Sequence, residues 1–108
     1  MLSEAKMALG KVKADYDPEI ARLILAAVGD LGIVDVQAAG VSFTINQDGS
    51  VTDNSTISDQ LLIRAIITYV RLHFKSPDDY DKLERSYNEQ KAQLITARGY
   101  GLPAAEVS

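Results

Sequence analysis

Chemistry in this chain would have to come from one histidine, no cysteine and fifteen carboxylates. His73 lies between Leu72 and Phe74 in an apolar segment, with no hydroxyl or second imidazole near it in sequence, so a packed or interface histidine is the simpler reading. Without cysteine there is no thiolate nucleophile, disulfide scaffold or cysteine-ligated zinc or iron–sulfur site. The acids gather twice, as Asp15, Asp17 and Glu19 and again as Asp78, Asp79 and Asp81. Both groups stand where a helix should begin, and capping explains carboxylates there without a metal. Asn46-Gln47-Asp48-Gly49-Ser50 lacks the ligand series of a calcium loop and reads as a turn. The glycines form neither a dinucleotide fingerprint nor a phosphate loop. No cofactor, metal or catalytic set is expected, and the chain is expected not to be an enzyme.

Binding is the better expectation. Arg64, Arg71 and Lys75 share a face of one segment and raise the possibility of a small helical DNA-binding regulator. The charge distribution opposes it: residues 1–56 carry 4 basic and 8 acidic side chains, and residues 57–108 carry 7 of each. Tyr16 and Tyr100 fall outside the strong helical stripes and are candidates for intermolecular contact. Lys6, Lys11 and Lys13 precede Asp15, Asp17 and Glu19, a charge order that suits head-to-tail contact between copies, though a solvated face explains it as cheaply.

The elements that must position these residues belong to a chain of 108 residues and 11.7 kDa, 46% hydrophobic and 24% charged, with a formal net charge of −4. That composition is expected of a soluble globular protein with one modest core. No apolar run reaches membrane-spanning length, and the start, with Glu4 ahead of a short apolar stretch, does not read as a signal peptide.

Residues 2–13 show a rough helical stripe weakened by Gly10. Asp17-Pro18-Glu19 is a start signal, with Asp17 as the cap, and Ile20, Leu23, Ile24, Ala27, Val28 and Leu31 give the next helix one apolar face. Gly32 is a candidate left-handed stop with Ile33 folding back; alternatively the chain stays helical to Ala39 and stops at Gly40. Val41, Phe43 and Ile45 then alternate with polar residues, so 41–52 forms a small hairpin or an arm-like loop, resting on the helices or on another subunit if ordered.

Thr56 and Asp59 match a capping box ahead of a very apolar segment at 58–75, expected to be the central helix. Its polar residues Gln60, Arg64, Thr68, Arg71 and Lys75 make one narrow stripe, so it must be covered on several sides. Ser76-Pro77-Asp78-Asp79 starts the last helix, with Tyr80, Leu83, Tyr87, Leu94 and Ile95 as its apolar stripe and Asp78/Lys82 and Asp81/Arg85 as surface pairs. The expectation is an all-α bundle of about four helices in one domain over 1–100, with a central arm and a tail at 101–108.

Asp17-Pro18-Glu19-Ile20, the segment from Leu61 to Ile67, and Asp79-Tyr80-Asp81-Lys82-Leu83 continuing through Tyr87, Gln90, Lys91 and Leu94 to Gly99-Tyr100 resemble the small head-tail connector proteins of tailed bacteriophages, also described as DNA-packaging or head-completion proteins. The resemblance spans about Leu2 to Tyr100 and is strongest from Asp79 to Tyr100. It implies a helical protomer, monomeric or weakly associated alone, that forms a homo-oligomeric ring in the virion between the portal protein and a tail-side connector or stopper. Such a ring extends the channel that DNA passes through, with no membrane involved, after assembly in the host cytoplasm. By the same resemblance the arm at 41–52, including Phe43 and Asp48, the segment 2–13 and the tail after Gly99 would make intersubunit, portal or next-ring contacts.

Overall fold

The computed structural model describes residues 1–10, 12–74 and 79–96. Lys11, Lys75, the Ser76, Pro77 and Asp78 corner, Gly99, Tyr100 and the 101–108 tail lie outside the described residues. The elements are α1 (Leu2–Leu9), a 3-10 turn (Ala14–Tyr16), α2 (Asp17–Ile33), β1 (Phe43–Ile45), β2 (Val51–Asp53), α3 (Gln60–His73) and α4 (Tyr80–Thr96). The architecture is thus a small helical bundle with a two-stranded antiparallel sheet, a correction to a purely all-α fold. Among the described residues no helix is long and apolar enough to cross a membrane.

As its composition required, α3 is the central helix and packs on α1, α2 and α4. Ile20, Ile24 and Leu31 of α2 meet Ile63, Ile66 and Val70 of α3 in one core, joined by Ala5 of α1 and by Tyr87 and Leu94 of α4. Its start differs from the expected capping box: the Asp59 carboxylate itself accepts from the amides of Leu61 (3.0 Å) and Leu62 (3.4 Å), so the helix begins at Gln60. Thr68 also leaves the expected polar stripe. It is buried, and its hydroxyl donates to the Arg64 carbonyl one turn back, which satisfies it without water.

At the start of α2 the 3-10 turn runs directly into the helix, so Tyr16 occupies the cap position and Asp17 is already helical. The other end of α2 corrects both alternatives read from the sequence. The helix passes through Gly32 and ends at Ile33; Val36 N–H donates to the Leu31 carbonyl (2.9 Å) and Asp35 N–H to that of Gly32 (3.0 Å), with Asp35 at φ 62°. This is a Schellman closure with aspartate in the left-handed position. Val36 and Leu31 are both buried, whereas Ile33 is 80% exposed, so Val36 is the residue that folds back.

The arm is a hairpin, with Phe43 opposite Asp53, Thr44 opposite Thr52 and Ile45 opposite Val51. Phe43 and Val51 pack against the helical core, and the Thr44 and Thr52 hydroxyls take hydrogen bonds from the Asn54 and Asn46 amides. A lone ribbon this short is marginal in water, so its docking on the helices is what holds it. Before it, Gly40 has φ 90°, and its carbonyl accepts from the amides of Thr56 (2.7 Å) and Ile57 (3.1 Å). A Cβ there would stand 3.0 Å from the Ile57 nitrogen, so glycine is what lets the two segments close.

Candidate assembly surface

Several of the residues expected at an interface are used inside the chain. Lys6 Nζ lies 2.8 Å from Asp17 Oδ1, an ion pair between α1 and α2, and the Tyr16 ring stands edge-on to Phe74 at 5.6 Å. The physical reason is proximity: the link between α1 and α2 is short, so opposite charges in successive segments meet their own neighbour first. Lys13 and Asp15 remain exposed beside this link. Phe43 is half-buried on the core, and Asp48 sits in the hairpin turn, accepting from the Ser50 amide (2.9 Å) and hydroxyl (2.6 Å). Arg64 and Arg71 are exposed on α3.

The last helix also departs from expectation. Tyr80 is 39% exposed rather than packed, and the exposed Asp81 and Arg85 form no ion pair with each other. The packing of α4 is carried by Leu83, Tyr87 and Leu94.

The structure brings together a polar cluster that sequence reading missed. The Tyr87 hydroxyl donates to Asp30 Oδ2 (2.5 Å), and Lys91 Nζ donates to the same oxygen (3.2 Å) while lying 5.2 Å from the Tyr87 ring centre. Tyr69 packs edge-on against Tyr87 at 5.4 Å and tilted against the exposed His73 at 4.3 Å, so His73 is stacked on a neighbour rather than packed in the core. Burial alone would raise the Asp30 carboxyl, but the bonds from Tyr87 and Lys91 outweigh it and hold it below the usual carboxylate range. Burial, then the Asp30 bond and charge, push the Tyr87 phenol far up, so it remains a hydrogen-bond donor at any ordinary pH. The cluster ties α2, α3 and α4 together. The legible signal was the pair of four-residue spacings, Tyr69/His73 and Tyr87/Lys91; Asp30 had none.

A second tie fastens the arm. Asp53 Oδ2 accepts from the Met1 ammonium and the Leu2 amide, each at 2.8 Å, Oδ1 accepts from the Ser55 amide (2.9 Å), and Glu4 lies 3.1 Å from the same ammonium. Burial opposes ionisation of Asp53, but the Met1 bond and the two amides prevail and hold the carboxyl well below its usual range. Burial likewise lowers the Met1 ammonium, and the bonds to Asp53 and Glu4 reverse this, leaving it raised.

Asp53→Ala is expected to cost about 1.5 kcal/mol, the low end for bonds to a charged group because the carboxylate is partly solvated. Sign follows from linkage. A depressed carboxyl stabilises above its unfolded value and loses this as pH falls through the folded value; a raised amine stabilises below its unfolded value and loses this as pH rises through the folded one. The gap between wild type and Asp53→Ala in urea midpoints should therefore be flat near neutrality and narrow at both extremes. A gap that widens in acid would refute the tie.

Several large apolar side chains remain at the surface: Met7 is 81% exposed, Ile33 80%, Leu61 42% and Ile45 41%. Met7 borders an open groove of about 530 Å³ with Lys6, Gly10, Val12 and Lys13. These residues stand on α2, α3, the arm, and α1 with the link that follows it. No known protein family, curated protein or solved structure matches this chain.

Proposed function

We propose that the chain is a structural adaptor and not an enzyme: a subunit that assembles as a ring between the portal and the tail, or the next connector ring, of a tailed bacteriophage, and so extends the DNA channel. The observation that carries this reading is the distribution of exposed apolar side chains. Single exposed apolar residues are ordinary on any surface. Here α1, α2, α3 and the arm each present at least one, which suits a link that touches neighbours on more than one side. The resemblance to head-tail connectors adds support, and Tyr87 and Lys91 within its strongest stretch are the residues that tie α4 to Asp30 of α2. On its outer side α4 exposes Asp81, Glu84 and Glu89 against Lys82 and Arg85, a slight acidic excess that offers no basic surface to grip the phosphate backbone and suits passage of DNA.

On this reading the chain needs no cofactor and no membrane, and its partners are further copies, the portal and a tail-side stopper. Purified chain mixed with the portal protein of the same genome should form a ring visible by electron microscopy and a mass increase by light scattering. Absence of both portal binding and any higher assembly would sink the proposal.

A second reading, a small DNA-binding regulator, rests on Arg64 and Arg71, both exposed on α3 and seven residues apart. It requires salt-dependent duplex binding that Arg64→Glu or Arg71→Glu weakens. The acidic balance favours the opposite outcome, no shift of duplex DNA in a gel at moderate salt.

A further inference from the structure

The face of α2 turned away from the core carries Arg22, Leu25, Ala26, Gly29, Gly32 and Ile33, all exposed. Leu25 is 43% and Ile33 80% exposed. A Cβ at Gly29 or Gly32 would meet nothing within 4 Å, and neither glycine has the positive φ that excludes other residues. Folding of the single chain therefore requires neither, although each weakens the helix relative to alanine. What a glycine does offer on a helix surface is close approach by another backbone.

We infer that this face pairs with the same face of a second copy, α2 against α2, antiparallel about a two-fold axis near Gly29. Charge complementarity selects the partner and the direction. Arg22 stands toward the start of the face and Asp35 just past its end, both are exposed, and neither forms an ion pair among the described residues. Antiparallel pairing sets Arg22 beside Asp35 of the second copy and near the negative end of its helix, and the two-fold axis repeats the contact. The same register sets Leu25 over Gly32 of the second copy, a large side chain against a gap. Parallel pairing would oppose Arg22 to Arg22 and glycine to glycine, so it loses both matches.

One helix pair buries less than a standard interface, so the association is weak and concentration-dependent. It closes at two copies, which separates it from the ring reading: portal-dependent ring formation and the free dimer are measured independently, and either can fail alone.

Sedimentation velocity of the full chain from micromolar to millimolar concentration should show the mean mass rising from one copy toward two. Gly29→Arg should raise the dissociation constant by about tenfold or more while the far-UV circular dichroism stays unchanged, because the site is open in the single chain. The sequence contains no cysteine, so engineered ones report cleanly. An equimolar mixture of Arg22→Cys and Asp35→Cys chains should form the mixed disulfide faster than either chain cross-links to itself. A mass that stays at one copy, a Gly29→Arg chain that associates as tightly as wild type, a face occupied only by a different protein, or preferential Arg22→Cys self-cross-linking would each overturn the inference.

Discussion

Tyr87→Ala is expected to cost about 3–5 kcal/mol, the usual range for deleting a buried aromatic side chain, and to leave the chain partly unfolded at 37 °C. The residue is 4% exposed, packs edge-on to Tyr69 and holds Asp30 through its hydroxyl. Deleting it removes the ring from the junction of α2, α3 and α4 and leaves Asp30 with Lys91 as its remaining side-chain donor among the described residues. A domain of this size has about 5–15 kcal/mol in total, so the loss is a large fraction of it.

Tyr87→Phe separates the two contributions. It keeps the ring and removes one bond to a carboxylate, for about 1.5–3 kcal/mol, and toward the low end because Asp30 is partly exposed. Because the folded Asp30 carboxyl is depressed, this smaller gap is present above its unfolded value and shrinks as pH falls through the folded one. Urea unfolding followed by circular dichroism measures both variants. A Tyr87→Ala cost no larger than that of Tyr87→Phe would mean that the ring carries none of the packing described.

Ile66→Ala should cost about 2–5 kcal/mol, against about 0.5–1.5 kcal/mol for Ile66→Val. Ile66 is fully buried in α3, the helix that contacts the other three. A vacancy there can close only if several helices shift together, so the cavity persists and adds to the lost transfer free energy. The same truncation at Leu61 of α3, which is 42% exposed, should cost far less. Equal losses at the two positions would show that α3 is not clamped from several sides.

Much of the fold was legible because local spacing encodes which face of an element is buried. The run from Leu61 to Phe74 left only a thin polar stripe, and a helix of that kind is stable only when surrounded, which is where α3 stands. Alternation at Val41, Phe43 and Ile45 followed by Asp48-Gly49 pointed to a hairpin or an arm-like loop, and of these the structure contains the hairpin, with Phe43–Ile45 paired to Val51–Asp53. Capping signals placed the starts of α2 and α3 within a few residues and then named the wrong cap at both. At α2 the Asp17 carboxylate faces Lys6, and at α3 Asp59 alone does what Thr56 was expected to share. Cap chemistry says that an acceptor is near a helix start; which acceptor reaches the amides depends on what else competes for it.

What the sequence determined by itself, then, is the four helices and the central position of α3, properties carried by neighbours a few residues apart. Tertiary structure alone decided where α2 stops, because Val36 and not Ile33 could be buried against Leu31. It also decided which charges are spent internally. Met1 meets Asp53 across 52 residues, Tyr87 meets Asp30 across 57 and Lys91 meets Asp30 across 61. Such contacts leave no periodic trace, since a carboxylate accepts as readily from its own chain as from a partner. Only the folded chain shows which of its polar groups are already satisfied and which faces, such as the glycine-bearing side of α2, remain to be covered.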